Sequence, residues 1–235
     1  MDNVLIWLRT HPLVTFAVLI YIALCYWMCK FKERLNLRWL EIYLVPLGHV
    51  VIGWTCMWLM ALLEVGFDLE KAAAIRLFGA YFSLPLVYYA WARLTKRDVS
   101  TVMDLASISL VCGAISGRLH CLTTGCCKGI LAGSFRWPIR ELELGFYFLF
   151  ILIFAGRIVK RKTYGQMYPV LLILYGILRF LCEFVREEYT TRLGALHLAH
   201  LWSLLAIVAG TVWYLLLLKK RKSPAACRKN AGTSA

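Results

Sequence analysis

Long apolar runs, broken at regular intervals by short polar and basic segments, organise this chain. A helix crosses a bilayer with about 20 predominantly apolar residues. Runs of that kind recur at approximately 12–29, 42–63, 74–91, 100–116, 142–156, 167–185 and 193–218. The pattern predicts an all-α integral membrane protein, a bundle of about seven transmembrane helices, with the fifth run short and extended or tilted at its ends. No segment pairs the short apolar core of a cleavable signal peptide with a small-residue site, so the first run reads as a retained anchor.

One run departs from the pattern. Arg179, Glu183 and Arg186 lie inside or at the outer end of the apolar stretch from Met167 to Val185. Their spacing of four and three puts them on one stripe of a helix, with Tyr175 one turn earlier. A charge at the bilayer centre costs roughly 2.5–3.5 kcal/mol on insertion scales, so such residues face the bundle interior and mark a functional site. The alternative is an Arg–Glu pair that neutralises itself and holds two helices together.

Composition agrees with a lipid environment: 61% of residues are hydrophobic and the mean hydropathy is +0.67. The net charge of +14 would suit nucleic acid, but the basic residues are placed otherwise. Lys30, Lys32, Arg34 and Arg38 follow the first run; Arg93, Lys96 and Arg97 follow the third; Arg157, Lys160, Arg161 and Lys162 follow the fifth. Lys219 to Lys222, with Arg228 and Lys229, close the chain. Alternate connections and the tail thus hold 17 of the 27 Lys and Arg, the bias of cytoplasmic loops. The expected topology has the N-terminus outside and the C-terminus in the cytoplasm. Residues 1–222 form one transmembrane domain in this reading, and 223–235 a disordered basic tail.

The longest remaining connection, Gly117 to Glu141, is expected to follow an irregular path on the outer side. It carries Arg118, His120, Cys121, Cys126, Cys127, Lys128, Arg136 and Arg140. Arginine binds phosphate oxygens bidentately, more strongly away from bulk water. For Arg136 and Arg140, lipid head groups at the surface are an equal alternative. Of nine cysteines, Cys25, Cys29, Cys56, Cys112 and Cys182 sit in apolar runs, where cysteine is a small hydrophobe. The order Cys121-x4-Cys126-Cys127 fits zinc poorly, because adjacent cysteines rarely chelate one tetrahedral ion. A disulfide from Cys121 to Cys126 or Cys127, or free small residues, ranks above metal. Nothing in the sequence points to a nucleotide or metal cofactor.

Three blocks carry a resemblance: Arg118 in Gly-Arg-Leu-His-Cys-Leu-Thr-Thr-Gly-Cys-Cys-Lys-Gly, Tyr175-Gly-Ile-Leu-Arg179-Phe-Leu-Cys-Glu183-Phe-Val-Arg186-Glu187, and Leu193-Gly-Ala-Leu-His-Leu-Ala-His-Leu-Trp-Ser203. They resemble the bacterial prolipoprotein diacylglyceryl transferase family, and Trp137-Pro138-Ile-Arg-Glu-Leu-Glu143 is similar to the stretch that opens that family's fifth span. Asp104 corresponds to an acidic residue ahead of the Gly-Arg block. The likeness covers roughly residues 74 to 218 in order, and the family's seven spans with an outside N-terminus match the topology expected above. Departures are concentrated in the polar positions. The family usually has Asn at 121 and 124, an acid at 126, a Gln at 200, and a His-Gly-Gly motif where this chain reads Leu77-Phe78-Gly79-Ala80-Tyr81.

The resemblance implies transfer of the diacylglyceryl group of phosphatidylglycerol to the lipobox cysteine thiol of a prolipoprotein, at the bacterial cytoplasmic membrane. The thiol must become a thiolate, and cations must hold the departing phosphate. Arg118, Arg179 and Arg186 are the candidate phosphate ligands. Glu183 would orient Arg179, with Glu143 behind it. His120 or His200 is the candidate base, since imidazole titrates near neutral pH; His197 and His200 would equally serve as interface residues without chemistry. The partners implied are phosphatidylglycerol or another anionic phospholipid and a prolipoprotein segment, with no nucleic acid. A related transferase or lipase with another acceptor, or a membrane protein that only binds anionic lipid, remains open. A transporter would also use intramembrane charges, but paired half-helix repeats are lacking.

Overall fold

A computed structural model describes residues 12–69, 76–160, 162–187, 192–193 and 196–222. It is helical throughout apart from two small hairpins: α1 (Pro12–Leu35), α2 (Trp39–Glu64), α3 (Leu77–Leu94), α4 (Val99–Thr124), β1 (Leu131–Ala132), β2 (Phe135–Arg136), α5 (Ile139–Val159), α6 (Met167–Glu183), β3 (Arg192–Leu193), β4 (Leu196–His197) and α7 (Leu198–Lys222). Among the described residues, seven helices correspond one to one to the seven expected runs. By length and composition, α1, α2, α4, α5 and α7 are apolar and long enough to cross a membrane. The expected tail from 223 and residues 74–75 of the third run lie outside the described residues.

Helix α4 is the centre of the bundle, packed against α1, α3, α5 and α6. Its small polar residues Thr101, Ser107, Ser109 and Ser116 are buried, as suits a membrane interior where small residues let helices approach. Opposite ends meet: Ser116 Oγ, late in α4, donates to Phe16 O, early in α1, at 2.9 Å. Leu152 of α5 and Leu86 of α3, by contrast, point outward and are exposed. Helices α6 and α7 run closely together. A Cβ on Gly176 would stand 2.9 Å from Ser203 O, so only glycine permits this crossing.

The basic end of the bundle is tied by specific contacts. Arg97 reaches Glu41 at 2.8 Å, and Arg34 donates to Ile158 O at 2.9 Å. Asp104, fully buried, pins the start of α6 to α4. Its Oδ2 accepts from Thr163 Oγ1 at 2.5 Å and from Gly165 N at 3.0 Å, and its Oδ1 from Met167 N at 3.4 Å. All three donors precede or open α6, so the carboxylate acts as a cap supplied from another helix.

Two expectations change. The irregular connection expected from Gly117 begins only after Thr124, and α5 already starts at Ile139. Nothing in Leu119 to Thr124 breaks a helix, and the left-handed Gly125 (φ 71°) ends it, as a C-terminal glycine commonly does. Arg118, His120 and Cys121 are therefore helical. The seventh helix begins at Leu198, since Leu196 and His197 belong to the β3–β4 hairpin.

Candidate active site

Helices α4, α5 and α6, with the segment just after α6, contribute side chains to one buried charged array at the end of the bundle opposite Asp104. Helix α4 presents Arg118, whose guanidinium forms an ion pair with Glu143 of α5. Glu143 is 0% exposed and also faces Arg179 Nη1 of α6 at 3.4 Å. One turn on, Glu183 takes Arg179 Nη2 at 2.7 Å, while Arg186 Nη1 approaches the same oxygen at 3.9 Å. Arg179 and Glu183 share the inward face of α6, as their spacing predicts; the helix ends at Glu183, and Arg186 reaches the array from a bridge paired with Gly129. Arg118, Arg179 and Arg186 are each less than 9% exposed. Three guanidiniums face two carboxylates, an excess of positive charge in a place of low dielectric. Burying cations beyond their partners is unfavourable unless an anion completes the set.

Glu143 is more central than its expected supporting role: it bridges two arginines from different helices. Beneath it lies an aromatic floor. Tyr175, one turn before Arg179, stacks on Tyr81 of α3 with centroids 4.1 Å apart, and Tyr147, one turn after Glu143, lies 6.3 Å from Tyr175. Tyr81 belongs to the segment in which the family motif is missing, so an aromatic face occupies that part of the site.

The histidines divide by position. His120 stands two residues from Arg118, about 200° round the helix, and its ring meets the edge of Phe16 on α1 at 6.2 Å. His200 lies between Phe180 and Phe184, 5.0 and 4.6 Å away, and its Nδ1 accepts the His197 N–H at 3.1 Å. That contact closes the first turn of α7 in the manner of a capping box. A neutral ring that accepts at Nδ1 carries its proton on Nε2. His197, which the sequence left undecided, brings Nδ1 to 3.5 Å from Glu183 Oε1. Its signal was the three-residue spacing to His200, which does not say which ring turns to the carboxylate.

The loop after α4 caps the array. Ile130 N donates to Val185 O at 2.8 Å and Glu187 N to Lys128 O at 3.1 Å, tying it to the end of α6. Gly129 is required here, because a Cβ would lie 2.3 Å from Trp137 O. Arg136 pairs with Glu187 and donates to Gly129 O at 2.9 Å. Arg140 reaches Cys121 O at 3.4 Å and Glu141 at 3.6 Å. Both hold the loop rather than join the array. Cys121, Cys126 and Cys127 are free thiols. The hydrogen bond that the Cys121 thiol donates to the Cys127 sulfur favours the thiolate at Cys127 and disfavours it at Cys121.

The profile described as prolipoprotein diacylglyceryl transferase matches residues 11–216. The chain belongs to the prolipoprotein diacylglyceryl transferase family. A phosphatidylglycerol–prolipoprotein diacylglyceryl transferase of Campylobacter lari is 33% identical over 119 residues, 46% of this chain and 44% of the relative. One from Campylobacter hominis is 28% identical over 160 residues, 62% and 57% of the two chains. One from Dehalococcoides mccartyi is 24% identical over 165 residues, 63% of each. The chain spans less than two thirds of the length of these curated relatives.

Proposed function

We propose that this chain transfers the diacylglyceryl group of phosphatidylglycerol to the lipobox cysteine thiol of a prolipoprotein, releasing glycerol 1-phosphate. The observation that carries the reading is the buried array of three arginines and two glutamates, in a chain whose relatives are named for that reaction. Arg118 and Arg179 hold the phosphate, with Arg186 next to them, and stabilise the charge that grows on the departing phosphate oxygen. Glu143 and Glu183 fix the guanidinium forks so that little reorganisation accompanies the reaction. The acceptor thiol gives up its proton, the thiolate attacks the glyceryl carbon that bears the phosphate, the carbon–oxygen bond breaks and a thioether forms.

His197 is the best-placed base. A carboxylate at Nδ1 sets the tautomer and leaves Nε2 to accept the thiol proton. His200 supports it from the first turn of α7, and His120 lies on the far face of α4 with Phe16. In this reading all seven helices span the cytoplasmic membrane with the N-terminus outside. The basic residues gathered near Arg34, Arg38, Lys96 and Arg97 support that orientation. Helix α6, at 17 residues, is about 26 Å long, so it spans with the help of its flanking segments.

A second reading keeps the lipid donor and changes the acceptor. It is favoured by cysteine at 121 and 126 and by Tyr81 in the segment without the histidine motif. One experiment separates the two: expression of this chain in bacterial cells depleted of their own transferase. The proposal expects restored diacylglyceryl addition to a prolipoprotein. Turnover of labelled phosphatidylglycerol without prolipoprotein modification selects the second reading, and neither activity overturns both.

A further inference from the structure

Cys121, Cys126 and Cys127 bring three sulfur atoms within 4.8 Å of one another, with Cys121 Sγ and Cys127 Sγ 3.9 Å apart. The spacing bears on what the cluster suits. A disulfide joins two sulfurs at about 2.0 Å and leaves the third without a role. An ion held by three thiolates at about 2.3 Å places them about 3.8–4.0 Å apart, whether trigonal or tetrahedral. We propose that Cys121, Cys126 and Cys127 form a three-thiolate site for a thiophilic cation of the zinc or copper(I) class, with an open fourth position.

In the sequence, the adjacency of Cys126 and Cys127 counts against a shared metal ion. In an extended segment neighbouring side chains point to opposite faces. Here Cys127 has a φ of 56°, two residues after Gly125 ends α4 in the left-handed region, and the reversal brings both thiols near Cys121 on the last turn of the helix. The surroundings suit anionic ligands. Arg118 Nη1 lies 3.9 Å from Cys121 Sγ, and the Thr124 hydroxyl donates to Cys126 Sγ at 3.4 Å. The Lys128 side chain lies across the turn, its Cε 3.8 Å from where a Cβ on Gly125 would stand. Three thiolates and a divalent ion carry one net negative charge, which Arg118 and Lys128 offset. Soft sulfur ligands select zinc and copper(I) over magnesium or calcium. Binding forms three metal–sulfur bonds and releases the thiol protons to solvent, with no change of oxidation state.

The test needs no activity. The full chain is purified in detergent under reducing, anaerobic conditions, stripped with a chelator, and titrated with Cd2+ as a probe, with and without prior loading with Zn2+. The proposal expects about one equivalent of Cd2+ with a sulfur-to-metal charge-transfer band, whose formation is slowed or shifted to higher Cd2+ when the protein is first loaded with Zn2+. It further expects Cys127→Ser and Cys126→Ser each to weaken binding by more than ~100-fold, beyond the loss seen for supporting residues. Cys56→Ser, on α2, should bind as the parent does. A band that survives both loop substitutions, or no saturable binding by the folded parent, overturns the site. So does loss of exactly two free thiols on mild oxidation of metal-treated protein, which would mark a disulfide in its place.

Discussion

Arg179 decides whether the charged array binds substrate or only holds helices together. Its guanidinium touches two carboxylates, Glu143 at 3.4 Å and Glu183 at 2.7 Å, from a side chain 9% exposed. Arg179→Lys keeps the charge and loses the fork, whereas Arg179→Gln loses both. Removing one preorganised donor from such a site costs about 2.7–4 kcal/mol in the transition state, or a hundred- to a thousand-fold in rate. Arg179→Gln also leaves Glu183 short of a partner, and breaking a buried pair from one side costs about 3–5 kcal/mol of stability. The two effects are separated by a double variant. Arg179→Leu with Glu183→Leu removes one cation and one anion and leaves the Arg118–Glu143 pair intact, so the fold should recover because apolar replacement of a buried pair is often neutral. The assay is turnover of labelled phosphatidylglycerol at matched membrane levels, beside thermal unfolding in detergent. The expected result is a double variant that folds and stays inactive, with Lys milder than Gln in the single variants. Recovery of turnover in the double variant would refute phosphate binding by Arg179 and leave a structural ion pair.

Three further outcomes are expected. His197→Gln should lower turnover on the order of a hundred- to ten-thousand-fold as loss of a general base does, while His200→Gln, whose amide can still accept the His197 N–H, should retain most of it; the reverse order in the same phospholipid assay would assign the base to His200. Asp104→Ala orphans two buried backbone N–H groups and the Thr163 hydroxyl, at about 1–3 kcal/mol for each donor left unpaired, so detergent-solubilised protein should melt earlier, and an unchanged midpoint would remove Asp104 from the account of how α6 is held. For topology, single cysteines introduced at Lys96 and Lys162 should resist an impermeant thiol reagent in intact cells and one at Lys128 should react, in a background without the native loop cysteines; labelling at 96 and 162 would invert the bundle.

Much of this protein was legible because the bilayer imposes a simple rule. Backbone groups in hydrocarbon must bond within the segment, so long apolar runs are helices, and each of the seven runs corresponds to a helix, the fourth continuing well past its expected end to Thr124. The shared face of Arg179 and Glu183 was equally legible, since helical periodicity alone places positions four apart on one face, whereas Arg186 joins them from beyond the helix end through its bridge to Gly129. Other features depended on contacts between elements distant in the chain. Whether Leu119 to Thr124 continued the helix was ambiguous locally, because Gly117 reads as a break and Gly125 as the true end. That Glu143 lies between Arg118 and Arg179 follows from the packing of α5 against α4 and α6, which no spacing encodes. Tyr81 came to stack on Tyr175 through the same packing of α3 into the core. The choice between His197 and His200 rested on a hairpin that turns one ring to Glu183 and the other between two phenylalanines. The convergence of three sulfurs required a left-handed residue at Cys127, a conformation that a cysteine adopts only where its surroundings enforce it. Sequence determined the helices and the charged face because those depend on neighbours along one segment; the site was decided by tertiary structure because its partners come from five helices whose order in space is set by side-chain packing.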